Sequence, residues 1–319
     1  MFNKILVPLD GSALAECVLP HVALFSAAFG AQVTLLHVVA CNNKTQLGSS
    51  PIDPLDWRMR KAEAQAYLNT QVERLGEADV VADTVLLEGQ PAERMIEYVR
   101  ENQNDLIIMS SHGSGGVSVW NAGSLVQKIL ERVHISALLV RAYQPTTEDI
   151  VEFHYNRILA PLDGSPRAEV AITPGARLAE FEEGQLLLAH VINKPEIFRH
   201  MPPEPEYVEM AQRLLEYNRR QAEDYLEKLQ ARLPGNIATR ILPGDDVALE
   251  IHHLIDDEDI DLIVMSAHGH SGKADWPYGS ITTNLLTYAS KPVLMIQDLN
   301  ASQIEPSLAE RFVMERIGH

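Results

Sequence analysis

An α/β fold made twice in tandem is what this chain predicts, on three observations. First, a strand–glycine-rich turn–helix stretch, DLIIMSSHGSGGVSVWNAGS from Asp105 to Ser124, returns as DLIVMSAHGHSGKADWPYGS from Asp261 to Ser280 at a constant offset of 156 with no gap. Even Trp120 and Trp276 coincide. Second, KILVPLDGS (Lys4–Ser12) returns as RILAPLDGS (Arg157–Ser165) at an offset of 153, which His37-Val38 and His190-Val191 keep. The offset grows to 155 at Gly89 and Gly244, so the second copy gains three residues between its second strand and its glycine-rich turn. This period is far longer than the roughly 20–50 residues of a solenoid repeat and marks a duplicated domain. Third, short apolar runs alternate with helical stretches in both copies, the pattern of a parallel sheet with helices on both faces.

Ile5–Leu9 is an apolar run closed by Asp10-Gly11-Ser12, as suits a strand covered on both faces, and Ser12 is placed to cap the next helix. Ala13–Phe29 carries Leu14, Val18, Val22 and Phe25 at helical spacing and Gly30 closes it. Gln32–Val39 is the second strand, and Asn42–Pro54 a polar loop. Asp56–Leu75 predicts a long helix ended by Gly76, Val80–Leu87 a third strand, and Gln90–Glu101 a helix with Pro91 early, where its missing N–H costs nothing. Leu106–Met109, Ser124–Arg132 and Ala137–Val140 complete the first copy as strand, helix and strand.

Residues 144–155, QPTTEDIVEFHY, form an acidic linker between a first domain at 1–143 and a second at 156–298. The second copy repeats the plan. Strands are expected at Ile158–Leu162, Gln185–Val191, Ala238–Leu242, Leu262–Met265 and Val293–Ile296. Helices are expected at Arg167–Glu180, Glu206–Leu233, Asp246–Asp256 and from Ser280. A tail over 299–319 carries an amphipathic helical segment, SLAERFVMERIG, without a counterpart in the first copy.

Composition bounds the function. The length suits two domains of about 150 residues, each large enough for its own core. Hydrophobic content of 46% and charged content of 22% are those of a globular protein. A formal net charge of −18 argues against nucleic acid and anionic membrane as partners, because both are met with basic surfaces. The two cysteines, Cys17 and Cys41, lack metal or dithiol spacing and read as small apolar residues in a reducing compartment. No long apolar span or signal layout is visible, so a cytoplasmic location is expected.

The repeated turn carries the chemistry. Glycines let backbone approach a ligand, successive N–H groups form an anion nest, and the following helix start adds unpaired N–H groups at the positive end of its dipole. Ser124 and Ser280 each offer a hydroxyl to a phosphate oxygen. In an open parallel sheet such turns meet the ends of the first two strands, here Asp10 and Asp163, His37-Val38 and His190-Val191, at the switch in strand order. There is no GxxxxGK[ST], no GxGxxG after the first strand and no SGGxDS, which excludes P-loop, dinucleotide and pyrophosphatase-type sites.

These residues resemble the universal stress proteins in their tandem two-domain form. The likeness runs through KILVPLDGS and RILAPLDGS, TLLHVV and LLLAHVI, and DLIIMSSHG and DLIVMSAHG, and so covers nearly the whole chain. The nucleotide-binding branch of that family carries G-x2-G-x9-G-[ST]. The matching positions here are Ser110, Gly113, Gly123 and Ser124, and Ser266, Gly269, Gly279 and Ser280, with Ser replacing the first Gly in both copies. The resemblance implies Rossmann-like domains, similar to the adenine nucleotide alpha hydrolases, with strand order 3-2-1-4-5. It implies ATP, or ADP or AMP, at the switch point, with magnesium. Asp10 and Asp163 would then face adenosine, Val38 and Val191 would offer backbone hydrogen bonds to adenine, and the turn would hold phosphates. Pairing through the fifth strands would make an intrachain pseudo-dimer, with homodimers a further option. Loop 114–122 lacks Lys and Arg while the second loop has Lys273, Asp275 and Pro277, so the two sites are expected to differ.

The remaining candidates read as structural. His112 and His268 are expected to hydrogen-bond backbone within the turn, His37 and His190 to be satisfied core residues, Trp120 and Trp276 to pack. Adjacent His252 and His253 point different ways on a helix, which disfavours a zinc site with His268 and His270. The function expected is a nucleotide-binding stress sensor or regulator with a protein partner. A nucleotide-free interaction protein is the competing reading, and a slow ATPase a weaker one.

Overall fold

A computed structural model describes residues 1–40, 53–112, 124–142, 150–194, 205–270 and 278–299. In the first half, β1 (Lys4–Pro8) leads through a short 3-10 turn at Ala15–Val18 into α1 (Leu19–Phe29) and β2 (Gln32–Ala40). Then follow α2 (Pro54–Gly76), β3 (Ala82–Gly89), α3 (Pro91–Asn102), β4 (Leu106–Ser110), α4 (Ser124–Val133) and β5 (Ser136–Val140). The second half runs β6 (Arg157–Leu162), a 3-10 turn at Ala168–Ala171, α5 (Ile172–Phe181), β7 (Gln185–Asn193), α6 (Pro205–Gln230), β8 (Ile237–Gly244), α7 (Val247–Asp257), β9 (Leu262–Ser266), α8 (Ser280–Tyr288) and β10 (Val293–Ile296).

Several boundaries differ from expectation, four of them for clear local reasons. The first helix of each half starts later than its apolar spacing suggests. Pro20 and Pro174 fit only the first turn of a helix, so the residues before them wind as a 3-10 turn. Gly76 ends α2 from within: Glu77 is the cap, and the chain reverses at Asp79, whose φ is 59°. That reversal delays β3 to Ala82 and leaves Val81 exposed.

All ten strands join one sheet in the order β3-β2-β1-β4-β5-β10-β9-β6-β7-β8. Each half therefore has the order 3-2-1-4-5 and is parallel within itself. The halves meet antiparallel, Val293 opposite Leu139 and Met295 opposite Ala137, so the expected pseudo-dimer through the fifth strands is present within the chain. Two apolar layers cover the two faces and each runs across both halves. One contains Val7, Leu35, Ile108, Leu138, Ile158 and Leu294, the other Leu6, Leu36, Ile107, Leu139, Leu159 and Met295, as strict alternation along a doubly covered strand requires.

The end of the expected linker belongs to this core. Tyr155 is fully buried, its hydroxyl meets the His21 imidazole of α1, and Phe153 stacks edge-on to the same ring at 4.4 Å between centroids. Burial lowers the His21 pKa to about 3, so the ring is neutral at physiological pH.

Candidate functional site

Strands β6, β7 and β9 end on the same side of the sheet, and a cavity of about 680 Å3 opens beyond them. It lies where the order reverses, β6 running on to β7 on one side and lying beside β9 on the other, the place where an open α/β sheet leaves a crevice. All six residues expected in the second half line it: Asp163, Val191, Ser266, Gly269, Gly279 and Ser280. Asn218, Gln221 and Tyr225 of α6 close one side. In the first half, Asp10, Val38 and Ser110 occupy the corresponding strand ends, and Ser124 opens α4. Gly113 and Gly123, with Trp120, Trp276, Lys273 and the tail from Asn300, lie outside the described residues.

Asp163 has a structural task. Its Oδ1 accepts from the Ser165 amide at 2.9 Å and the Ser165 hydroxyl at 2.6 Å, and its Oδ2 accepts from the His270 amide at 2.5 Å. Ser165 in turn caps the 3-10 turn by accepting from the Ala168 amide. Burial alone would raise the Asp163 pKa, but these hydrogen bonds hold it below the usual value. The carboxylate thus clasps the glycine-rich turn. Gly269 is what admits it, since a Cβ there would sit 2.2 Å from Oδ2. Asp10 repeats the inner half of this arrangement, accepting from the Ser12 amide at 3.0 Å and hydroxyl at 2.6 Å.

Ser266 and Ser110, which replace the family's first glycine, clasp the turn as well. Each hydroxyl donates to the carbonyl two residues on, Ser266 to His268 at 2.7 Å and Ser110 to His112 at 2.6 Å. That proton is committed to the turn, so these hydroxyls are not free donors to a phosphate. Each turn histidine also meets a side chain through its Nδ1. His268 Nδ1 pairs with Asp298 Oδ1 at 2.8 Å, and His112 Nδ1 with Ser111 Oγ at 2.9 Å. Asp298 is buried at the end of β10, with Arg167 Nε an ion-pair distance of 3.4 Å from its other oxygen. Its counterpart at the 156 offset is Ala142, so comparing the two copies is the one sequence signal that marks it.

The glycine at the mouth of α8 has no such steric reason. Gly279 has φ −69° and ψ 161°, open to any residue, and an added Cβ would meet only ordinary contacts at 3.6–3.9 Å. Its own N–H is bound to the Ala267 carbonyl at 2.8 Å, but no side chain caps α8. The first amides of α8, from Ser280 to Thr282, are those a helix leaves without an intrahelical partner, and these residues line the cavity. The Thr282 hydroxyl donates to the Ser266 carbonyl at 2.9 Å, fixing the first turn of α8 to the end of β9.

Val191 supplies a second set of backbone groups. Alternate residues of a strand turn their N–H and C=O to opposite neighbours. The Leu186 and Lys194 amides bond toward β8 and its flanks, and the Gln185 amide bonds to Asn156 on the β6 side. Val191 therefore turns toward β6, whose last pairing is Leu162 with His190. The Leu162 carbonyl is taken by the His190 ring at 2.8 Å, as the Leu9 carbonyl is by His37 at 2.8 Å. The strand-end histidines are satisfied as expected, and they leave Val191 and Val38 facing the space past the first strand of each half.

His252 Nε2 meets Asn284 Oδ1 at 3.0 Å, and among the described residues no three His, Cys, Asp or Glu side chains are grouped to hold a metal ion. No helix of the described residues is long and apolar enough to cross a membrane.

Comparison with known proteins agrees with this architecture. The model of the universal stress protein family matches residues 1–141 and again 154–297. A universal stress protein of Methanocaldococcus jannaschii is 27% identical over 141 residues, 44% of this chain and 83% of that protein. One from Mycobacterium tuberculosis is 21% identical over 307 residues, 92% of this chain and 96% of that protein. The crystal structure of a universal stress protein from Archaeoglobus fulgidus superposes with a TM-score of 0.64 over 94% of this chain and all of that one, at 18% identity. Two matches of one family model, one on each half of a duplicated sheet, show that the chain belongs to the universal stress protein family as a tandem pair.

Proposed function

We propose that the second half binds an adenine nucleotide in the cavity beyond β6, β7 and β9, and that the protein acts as a nucleotide-responsive regulator in the cytoplasm. The observation that carries this reading is a juxtaposition. The uncapped start of α8, with Gly279 leaving space beside it, lines the same cavity as the Val191 backbone. The first suits an anion and the second the hydrogen-bonding edge of a base. Apolar walls from Ala189, Val247, Ile251 and Met265 suit a planar ring.

The described lining holds no Lys or Arg and a single carboxylate, Asp163. Phosphate charge would therefore be met by the α8 amides and dipole. Because both Asp163 oxygens already hold the turn, magnesium would be carried on ATP phosphates more than on protein ligands. The same lining favours AMP or ADP whenever Lys273 does not take part. Regulation is proposed rather than turnover because the titratable lining groups are engaged. Asp163 holds the turn, His190 binds Leu162, His268 binds Asp298, and the Tyr225 hydroxyl donates to Glu169 at 3.2 Å.

The test is to denature purified protein, remove the chain and identify the released small molecules by mass spectrometry, alongside melting curves with ATP, ADP and AMP. An adenine nucleotide near one per chain, or a rise in Tm with one of the three, supports the reading. No nucleotide released and no shift at millimolar concentration would overturn it.

A further inference from the structure

Helix α8 is held at both ends by the other half of the molecule. At its entrance, Tyr278 reaches across and its hydroxyl donates to the Leu130 carbonyl of α4. Burial, with the Glu131 carboxylate second, pushes that hydroxyl's pKa up, so it remains a donor at any physiological pH. At the exit, Arg141 Nη2 donates to the Leu285 and Leu286 carbonyls, each at 2.9 Å. The Leu285 carbonyl also accepts the Ala289 amide at 3.0 Å, so the guanidinium adds a second donor there and one to Leu286, at the negative end of the helix where a cation is stabilising.

Neither contact belongs to the repeated domain. At the 156 offset, Tyr278 corresponds to Ala122 and Arg141 to Gln297. The Gln297 side chain instead accepts from the Leu299 backbone amide at 3.2 Å, and its own backbone amide donates to Ser136 Oγ at 3.2 Å. Arg141 also sits between residues tied to the first half's own turn: the Ser111 amide donates to the Val140 carbonyl at 2.7 Å, and the Ala142 amide donates to Ser111 Oγ at 3.1 Å. The duplicated halves have thus diverged to tie a helix whose N-terminus opens onto the second-half cavity to the first half at two points, Leu130 and Arg141.

We propose that Arg141 and Tyr278 are positioning residues of the second cavity. They fix the axis of α8 so that its amides at Ser280–Thr282 face the ligand, and the second site is complete only with the first half in place. The ligand side of this statement rests on the nucleotide reading above; the bracing of α8 does not. The full chain and its Arg141→Met, Arg141→Lys and Tyr278→Phe variants are compared by hydrogen exchange without ligand and by titration with ATP and AMP.

The expected result is a rise of about tenfold in exchange of the α8 amides in Arg141→Met, confined to that helix, with a loss of about tenfold in nucleotide affinity. Arg141→Lys recovers part of both, because an ammonium still donates to helix carbonyls. Tyr278→Phe, which keeps the ring, reproduces the loss at the entrance. Unchanged α8 exchange in both Arg141→Met and Tyr278→Phe overturns the proposal, as does exchange that rises evenly over the whole chain. If the wild-type chain binds no nucleotide while α8 still loosens in the variants, the nucleotide reading fails and the brace stands. If all variants bind as tightly as wild type, the brace has no role in the site and the nucleotide reading stands.

Discussion

Replacing Gly279 by alanine separates what the fold needs from what a ligand needs. The backbone there is extended, with φ −69°, and the new methyl would lie 3.6 Å from the Ala267 carbonyl oxygen and 3.8–3.9 Å from its next neighbours, all ordinary contacts. An alanine is a poorer N-cap than glycine by up to about 1 kcal/mol, and lowers the entropy of the unfolded chain by about 0.4–1 kcal/mol in its own favour. The two nearly cancel, so Tm should move by no more than about 3 °C in either direction. Binding should respond differently. The methyl stands beside the amides that would meet phosphate, and losing one hydrogen bond to a charged group costs about 1.5–3 kcal/mol, or roughly 10- to 150-fold in affinity. The assay is calorimetric titration of wild type and Gly279→Ala with ATP and AMP, beside their melting curves. Equal affinities within about twofold would refute the assignment of this glycine to the ligand. A large fall in Tm would refute the steric argument.

Gly269→Ala should do the reverse. Its Cβ would fall 2.2 Å from Asp163 Oδ2 and break the clasp on the His270 amide, a charge-assisted bond, so Tm should fall by about 3–8 °C, with most of the loss absent when Asp163 is also alanine. The Asp163 pKa is lower in the folded chain than its ordinary value of 3.8. Its stabilisation is therefore full above that value and disappears as pH falls through the lower folded one, so melting curves of wild type and Asp163→Asn should converge as pH falls below 3.8 and through that lower value. His21 has the same proton balance over a higher window, because the unfolded chain takes up a proton near pH 6.5 and the folded one only near 3, so stability falls as pH falls between them. Stability should drop by up to about 1.4 kcal/mol for each pH unit between those values, and His21→Gln should flatten that slope in denaturant titrations.

The glycine-rich turn, the strand ends and the duplicated plan were legible because they rest on local chemistry repeated at a fixed offset. Asp163, Val191, Gly269 and Ser280 meet around one cavity because the strand order, once known, leaves no other place for them. The roles of individual atoms were less legible. Asp163 and Ser266 stand where the resemblance led one to expect ligand contacts, yet their polar atoms hold the turn itself. A serine in place of glycine offers a hydroxyl to whichever acceptor is nearer, and the His268 carbonyl is nearer. Asp298, Arg141 and Tyr278 escaped notice because each acts across a long sequence separation and on one copy alone. Boundaries slipped where Pro20 and Pro174 permit only a helix's first turn and where Asp79 takes a left-handed conformation.

The central claim is that adenine nucleotide occupies the second-half cavity, and photolabelling tests it most directly. An azidoadenine nucleotide is bound to the full chain, irradiated, and the labelled peptides are identified by mass spectrometry. Labelling within β7 around Val191 or on the cavity face of α6 near Asn218 and Gln221, suppressed by excess ATP or AMP, is the predicted result. Labelling that excess nucleotide does not suppress, or that falls only on peptides away from the cavity, would contradict the account.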